Sequence, residues 1–248
     1  MITLGQYVGD TQSYLDSLKN EIKSTTHVSL PAIVTAFDSE KQTINCIPTI
    51  KELVYFNGSV GFKQFPELQQ VPIEIPRAGN FAITLPITVG QECRVTFQDL
   101  CLDGWWSRGG IQSWNDLRRH DLSDAIATFS PWSQPNVIPD YSTSNLEIRS
   151  IDGTTKASFS DNGITISKGE NSSIDINSSQ IHLQRGENSS IDINSSEIRL
   201  QMGSNLVIIN SSGIELTTPN LTINGKPYLT HTHSGVMSGP STTGPISQ

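Results

Sequence analysis

Two histidines close to the end of the chain, His231 and His233, are separated by a single threonine. In an extended segment residues i and i+2 point to the same side, so both imidazoles face one way. Imidazole nitrogens are common ligands of transition metals. Two ligands do not complete a metal site, so the pair predicts metal binding only if several copies of the chain bring their histidines together.

Composition and charge limit what the rest of the chain can be. The 248 residues carry 16 Lys and Arg against 24 Asp and Glu, and the net charge of −8 argues against nucleic acid as a partner. The hydrophobic fraction of 35% predicts mostly β structure, part of which lacks a conventional core. The sequence shows no bilayer-spanning run and no signal-peptide pattern, so we expect a soluble chain made in the cytosol.

The first two segments differ in periodicity. Residues 1–26 predict a helical arm with an apolar stripe at helical spacing, formed by Tyr14, Leu15, Leu18 and Ile22. Residues 27–140 alternate short apolar runs with Pro, Gly and polar turns, which predicts a small OB-fold-like barrel. The proline-rich passage SPWSQPNVIPDYS marks the end of this domain near residue 140.

Residues 141–224 are repetitive. The sequence GENSSIDINSS occurs at Gly169–Ser179 and again, unchanged, at Gly186–Ser196, 17 residues later. Weaker copies extend the pattern to four units at offsets of 17, 17 and 16 residues. Each unit predicts two short strands in which aliphatic and polar residues alternate, so that the aliphatic side chains share one face.

Units with so few aliphatic residues cannot close a core within one chain. We therefore predict that they bury their apolar face against copies of the same chain, in an intertwined homotrimer that forms a triple-stranded β-helix. A disordered linker is disfavoured, because disorder does not require Ile or Leu at every second position through several units. Residues 225–248, which contain the histidine pair, then form a small apex.

No catalytic motif is present: the sequence lacks GxSxG, a Gly-rich phosphate loop and HExxH, so we predict no enzyme activity. His120 is predicted to be structural, bonded to Asp121 or Asp124, and His182 is predicted to face outward from the repeats. Five aspartates are close in sequence, but acid–base chemistry needs spatial proximity that a sequence does not show. They are Asp99, Asp103, Asp116, Asp121 and Asp124.

Tryptophans and cysteines are predicted to be structural as well. The tryptophans, Trp105, Trp106, Trp114 and Trp132, are expected to pack on the barrel or to contact neighbouring subunits rather than to stack on bases or sugars. The three cysteines lie in strand-like surroundings without a CxxC pair, which favours reduced, buried thiols. They are Cys46, Cys93 and Cys101.

Three features, in this order, resemble the central spikes of contractile-tail bacteriophage baseplates, of the membrane-piercing or cell-puncturing type without a lysozyme domain. The first is a barrel followed by VGQECRVTFQDLCLDGWW…RRHDLSDAIATFSPWSQP, from Val89 to Pro135. The second is the set of short β-helical repeats over residues 159–224, and the third is the histidine pair at the C-terminal end.

The resemblance implies an all-β homotrimer at the tail baseplate tip of the virion, made in the host cytoplasm. Its barrel faces the baseplate hub and tail tube, its shaft is a triple-stranded β-helix, and its apex holds one iron ion through His231 and His233 of each chain. Six neutral nitrogen ligands suit Fe(II), Ni or Zn, and iron is favoured because zinc usually takes four ligands. The implied role is perforation of the host outer membrane when the tail sheath contracts.

Three other functions fit parts of the same pattern. A receptor-binding tail fibre or tailspike also uses trimeric β-helices, although such proteins are more often longer and carry a surface that binds or cleaves carbohydrate. The spike of a secretion system related to phage tails shares the fold and the mechanism. A nucleic-acid-binding OB-fold protein is disfavoured by the charge and by the repeats.

Overall fold

A computed structural model describes residues 11–56, 59–130, 132–228, 230, 235 and 239. Within these residues the chain is almost entirely β, as the sequence predicts. It divides into two compact units, Met1–Val137 and Ile138–Gln248. No helix in this part of the chain combines the length and the apolar character needed to cross a membrane.

The first unit begins with a helix, α1 (Thr11–Thr25), followed by the strands of a barrel. The barrel strands are β1 (Ser29–Asp38), β2 (Thr43–Pro48), β5 (Leu68–Pro72), β8 (Glu92–Phe97) and β9 (Ala125–Thr128). Smaller elements lie between them: the hairpins β3 (Glu52–Phe56) with β4 (Ser59–Lys63) and β6 (Arg77–Ala78) with β7 (Phe81–Ala82), and the helix α2 (Asp103–Arg108).

The five barrel strands pair in the order β5-β2-β1-β8-β9, with antiparallel neighbours. The two outer strands meet just beyond β5, where Ile73 forms a parallel bridge with Ala127 and the Glu74 amide donates to the Ala127 carbonyl at 2.8 Å. A five-stranded sheet that returns on itself through one parallel contact is the arrangement of an OB-fold. The prediction of an OB-like barrel is confirmed.

Alternation along the strands explains where the barrel core lies. In β8, the side chains of Cys93, Val95 and Phe97 are buried, whereas the residues between them are not. All three cysteines are buried and unbridged. The hydrogen bond between the thiols of Cys46 and Cys93, together with burial, raises the pKa of Cys46, which keeps this thiol protonated and unreactive.

The second unit is dominated by one antiparallel sheet of nine strands in sequence order, called here the repeat sheet. Its strands are β10 (Leu146–Arg149), β11 (Thr155–Ser160), β12 (Gly163–Lys168), β13 (Ser172–Asn177), β14 (Gln180–Arg185), β15 (Ser189–Asn194), β16 (Glu197–Met202), β17 (Asn205–Asn210) and β18 (Gly213–Thr217). A short hairpin follows, β19 (Thr222–Ile223) with β20 (Lys226–Pro227). Each repeated unit therefore forms a hairpin of two strands.

Repeated turn chemistry produces the 17-residue period. At one edge of the repeat sheet, the side-chain oxygen of Asn177 accepts the amides of Ser179 and Gln180 at 2.9 and 3.0 Å, and Asn194 repeats this turn one unit later. At the other edge, Gly186 has a φ of 72° and donates its amide to the Asn171 carbonyl at 2.6 Å. The described chain forms a single meandering sheet, and the winding of three chains remains a prediction.

Candidate functional site

The repeat sheet carries two unbroken rows of apolar side chains on one face, called here the apolar face. Cross-strand pairing puts directly opposite residues on the same side, so each row takes one residue from every strand. The first row is Leu146, Phe159, Ile164, Ile176, Ile181, Ile193, Ile198, Ile209 and Ile214. The second is Ile148, Ala157, Ile166, Ile174, Leu183, Ile191, Leu200, Val207 and Leu216.

Most of the apolar face is exposed in the single chain. Ile166 is 49% exposed and Ile193, near the middle of the sheet, is still 38% exposed. Soluble monomers rarely expose a contiguous apolar patch of this extent, and patches that do occur mark interaction surfaces. The apolar face is therefore a surface that requires a covering partner.

The opposite face of the repeat sheet is polar and satisfied within the chain. Thr165 donates to the Asp175 carboxylate at 2.8 Å, and Ser190 donates to the Asp192 carboxylate at 3.1 Å. His182 lies on this face, opposite both aspartates, and its Nδ1 contacts the Asp192 carboxylate. The predicted outward position of His182 is confirmed, and its partner Asp192 gives it a structural role.

The loop between β8 and β9 is organised by one buried ion pair. The Asp124 side chain is completely buried and its two oxygens receive Arg118 Nε at 3.0 Å and Nη2 at 3.2 Å. The Leu102 amide also donates to Asp124 at 2.9 Å. The hydrogen bonds of Arg118 with Asp124 and with Asp103 raise its pKa above the ordinary value, so the guanidinium stays charged.

This ion pair also decides the fate of a possible metal cluster. Cys101, Asp103 and Asp124 place ligand atoms within 4.8 Å of one another, a spacing compatible with a metal ion. The Arg118 Nη2 donates to all three groups, at 3.1 Å to the Cys101 sulfur and 3.0 Å to Asp103. The cation that this cluster holds is the guanidinium, and the aspartates serve the loop rather than acid–base catalysis.

The predicted partners of His120 are wrong. Its Nε2 lies 3.1 Å from the Asp99 carboxylate instead of contacting Asp121 or Asp124. Asp124 is taken by Arg118, and Asp121 accepts the side chain and amide of Ser123, hydrogen bonds that hold the pKa of Asp121 below its usual range. Arg118 is the residue that the sequence analysis missed. The signal was the pair of arginines in RRHD, placed among five aspartates.

Three of the tryptophans lie on this same loop and are half-exposed. Trp105 and Trp114 line an open cleft together with Leu100, Gln112 and Arg119. The Arg119 guanidinium carbon lies 5.6 Å from the centre of the Trp114 ring, a cation–π contact. Exposed Trp combined with Arg is typical of protein interfaces.

The predicted metal ligands, His231 and His233, lie outside the described residues. What remains testable is the chemistry of the donor set: two imidazoles per chain at an i, i+2 spacing, suited to a borderline transition metal. The assignment of a metal to these residues therefore remains a prediction.

Comparison with known families agrees with the barrel. Residues 30–130 match the family model described as "Phage protein Gp138 N-terminal domain", which spans β1 to β9 and about two fifths of the chain. The match supports a phage protein of the baseplate type, associated with the virion. Comparison with curated proteins gives no match.

Proposed function

We propose that the chain is the membrane-piercing central spike of a contractile phage tail, and that it works as a homotrimer. The observation that carries this proposal is the exposed apolar face of the repeat sheet. Three copies with their repeat regions wrapped about a common axis bury these faces together and leave the polar faces in water. The phage family match of the barrel supports a place in the baseplate.

The number of copies follows from a separate argument. Two chains could also cover the apolar face by packing as a sandwich. Three chains are favoured by the resemblance to trimeric spikes and by the histidine pair, because three pairs give the six ligands of an octahedral site. Native mass measurement distinguishes a dimer from a trimer directly.

The size of the repeat sheet suits the proposed task. Neighbouring strands lie about 4.8 Å apart, so nine strands extend about 40 Å along their hydrogen-bonding direction. A bilayer with its headgroups is about 40–45 Å thick. A stiff shaft of this length reaches through one membrane, and the contracting sheath supplies the energy, so the proposal requires no enzyme activity of this chain.

The barrel end is proposed to attach the spike to the hub and tail tube. The cleft lined by Trp105, Trp114 and Arg119 offers the aromatic and cationic groups that anchor protein interfaces. The buried Arg118–Asp124 pair fixes the loop that carries these side chains. The loop is thereby held ready for a partner before contact.

Shortening the shaft tests the piercing role. Deleting residues 186–202 removes one repeat unit, joins Arg185 to the next glycine turn and keeps both apolar rows in register. The shaft loses about 10 Å, the width of two strands. We expect particles with this deletion to contract normally but to permeabilise the outer membrane several-fold less, measured by nitrocefin hydrolysis in cells with a periplasmic β-lactamase.

The matched control keeps the length of the shaft. Replacing Gln180→Glu, His182→Arg and Arg185→Met converts the unit 169–185 into a copy of the unit 186–202. These particles should permeabilise cells like the unaltered phage. Equal permeabilisation by the shortened particles contradicts the piercing role, and cleavage or specific binding of host polysaccharide by the purified chain supports a tail fibre instead.

We propose further that His231 and His233 of three chains hold one iron ion at the tip. A structural metal would order a narrow apex that has too few apolar residues for a core of its own. The double substitution His231→Ala with His233→Ala is expected to reduce iron from one ion per trimer to none, measured by elemental analysis of the native protein. The shaft should stay trimeric, because the apolar face is unchanged.

The control for metal loss is another histidine of the same chain. His182→Ala removes an imidazole from the polar face of the repeat sheet, far in sequence from the pair, and should leave the iron content unchanged. Full metal content in the double variant means that other residues are the ligands. Zinc or nickel in the unaltered protein corrects the identity of the ion without changing the ligands.

A further inference from the structure

We propose that the α1 helices of the three copies pair with one another as a short parallel coiled coil at the barrel end of the spike. This inference rests on the proposed homotrimer, and it adds a second contact between chains to the apolar face. Nothing in the family match includes it, since the matched residues begin at 30.

The spacing of apolar residues in α1 is that of a coiled-coil seam. Leu15, Leu18 and Ile22 are separated by three and then four residues, the a-d-a pattern of a heptad repeat. The same spacing continues upstream in sequence at Val8 and Leu4. The positions that point away from such a seam hold Ser17, Asn20 and Ser24, which are small and polar.

The helix has no cover within its own chain. Every side chain from 13 to 24 is exposed, with Leu15 at 44% and Leu18 at 36%. An isolated helix of about 15 residues is marginal in water, so most of its stability must come from an apolar contact. A partner that buries Leu15 and Leu18 is therefore needed for the helix to persist.

Copies of α1 suit this stripe better than a barrel surface does. A helix that docks on a globular surface usually shows a stripe wider than 100°, whereas a stripe limited to a and d positions is the narrow seam of a coiled coil. The two flanks of the seam carry opposite charges, Lys19 on one side and Glu21 on the other. In a parallel ring the Lys19 flank of one helix faces the Glu21 flank of the next, which is electrostatically complementary.

Chain connectivity gives the helices a common direction. Only residues 26–28 separate α1 from β1, so the helix of each copy starts from the same point of its barrel. Three chains joined through their shafts hold their helices at high effective concentration, which lets a short seam form that would not form between free peptides. The helices then fix the arrangement of the barrels at the end opposite to the tip.

Cysteine cross-linking in the full chain tests the seam. Leu18→Cys places a thiol at the d position, and Asn20→Cys places one at an outward position two residues away. The native cysteines are buried, so the unaltered chain provides the background. With a short bis-maleimide, we expect several-fold more covalent dimer from Leu18→Cys than from Asn20→Cys on a denaturing gel.

Native mass measured on the same samples separates this inference from the proposed function. A trimer that cross-links through position 18 and not through position 20 supports the coiled coil. A trimer with equal or no cross-linking at both positions overturns the coiled coil and leaves the spike proposal intact. A monomer without cross-links overturns both.

Discussion

Replacing Ile166 with Asp is expected to abolish assembly of the chain, whereas replacing the next residue, Ser167, with Asp should leave it intact. The two positions are adjacent in β12 and point to opposite faces of the repeat sheet. Ile166 belongs to the apolar face and pairs with Ile174 and Ala157. Ser167 lies on the polar face opposite Lys156, which favours an added carboxylate there.

The exposure of Ile166 makes this comparison decisive. In a single chain its side chain is 49% exposed, so an aspartate there would remain solvated at little cost. In the assembled spike the same aspartate is buried without a partner, at a cost of about 3–5 kcal/mol per chain. That corresponds to a loss of at least about 100-fold in the association constant for each chain.

Native mass and thermal unfolding measure the outcome. Ile166→Asp should appear as a monomer at concentrations where Ser167→Asp is a trimer. The monomer should still contain a folded barrel, since the substitution lies in the other unit. A trimer of unchanged thermal stability in Ile166→Asp would falsify the burial of the apolar face.

The repeat sheet shows what a sequence can predict when structure is periodic. Every unit obeys the same local rules: an Asx turn at Asn177 or Asn194, a glycine turn at Gly169 or Gly186, and aliphatic residues at every second position. Local rules of this kind fix strand length, register and face without information about distant residues. The two apolar rows could therefore be derived from the 17-residue period alone.

The barrel shows where such reasoning stops. Its closure through Ile73 and Ala127 joins residues more than fifty positions apart, and no local pattern specifies that contact. Likewise, the choice of Arg118 as the partner of Asp124, and of Asp99 as the partner of His120, depends on how the long loop folds over the barrel. Charge proximity in sequence indicated a polar cluster but could not assign its pairs.

The second large effect is expected from Arg118→Leu, which should lower the stability of the barrel by about 3–5 kcal/mol. Without the guanidinium, the Asp124 carboxylate remains completely buried with one described hydrogen bond, from the Leu102 amide. A loss of this size is a large share of the 5–15 kcal/mol typical of a domain. Urea unfolding followed by tryptophan fluorescence measures it, because Trp105 and Trp106 lie in α2 on the same loop.

The neighbouring arginine provides the matched control for this prediction. Arg119→Leu removes the same charge but loses only the contact with the half-exposed Trp114, worth about 1 kcal/mol or less. Combining Arg118→Leu with Asp124→Asn should recover much of the loss, because a neutral amide is less costly to bury than an unpaired carboxylate. Equal stability of the two single variants would mean that solvent reaches Asp124. Failure of the double variant to recover would instead assign the cost to lost packing of the arginine side chain. If both tests turn out as expected, the loop that presents the aromatic cleft is held by one buried charge pair, and the cleft can be altered by Trp114→Ala without unfolding the barrel.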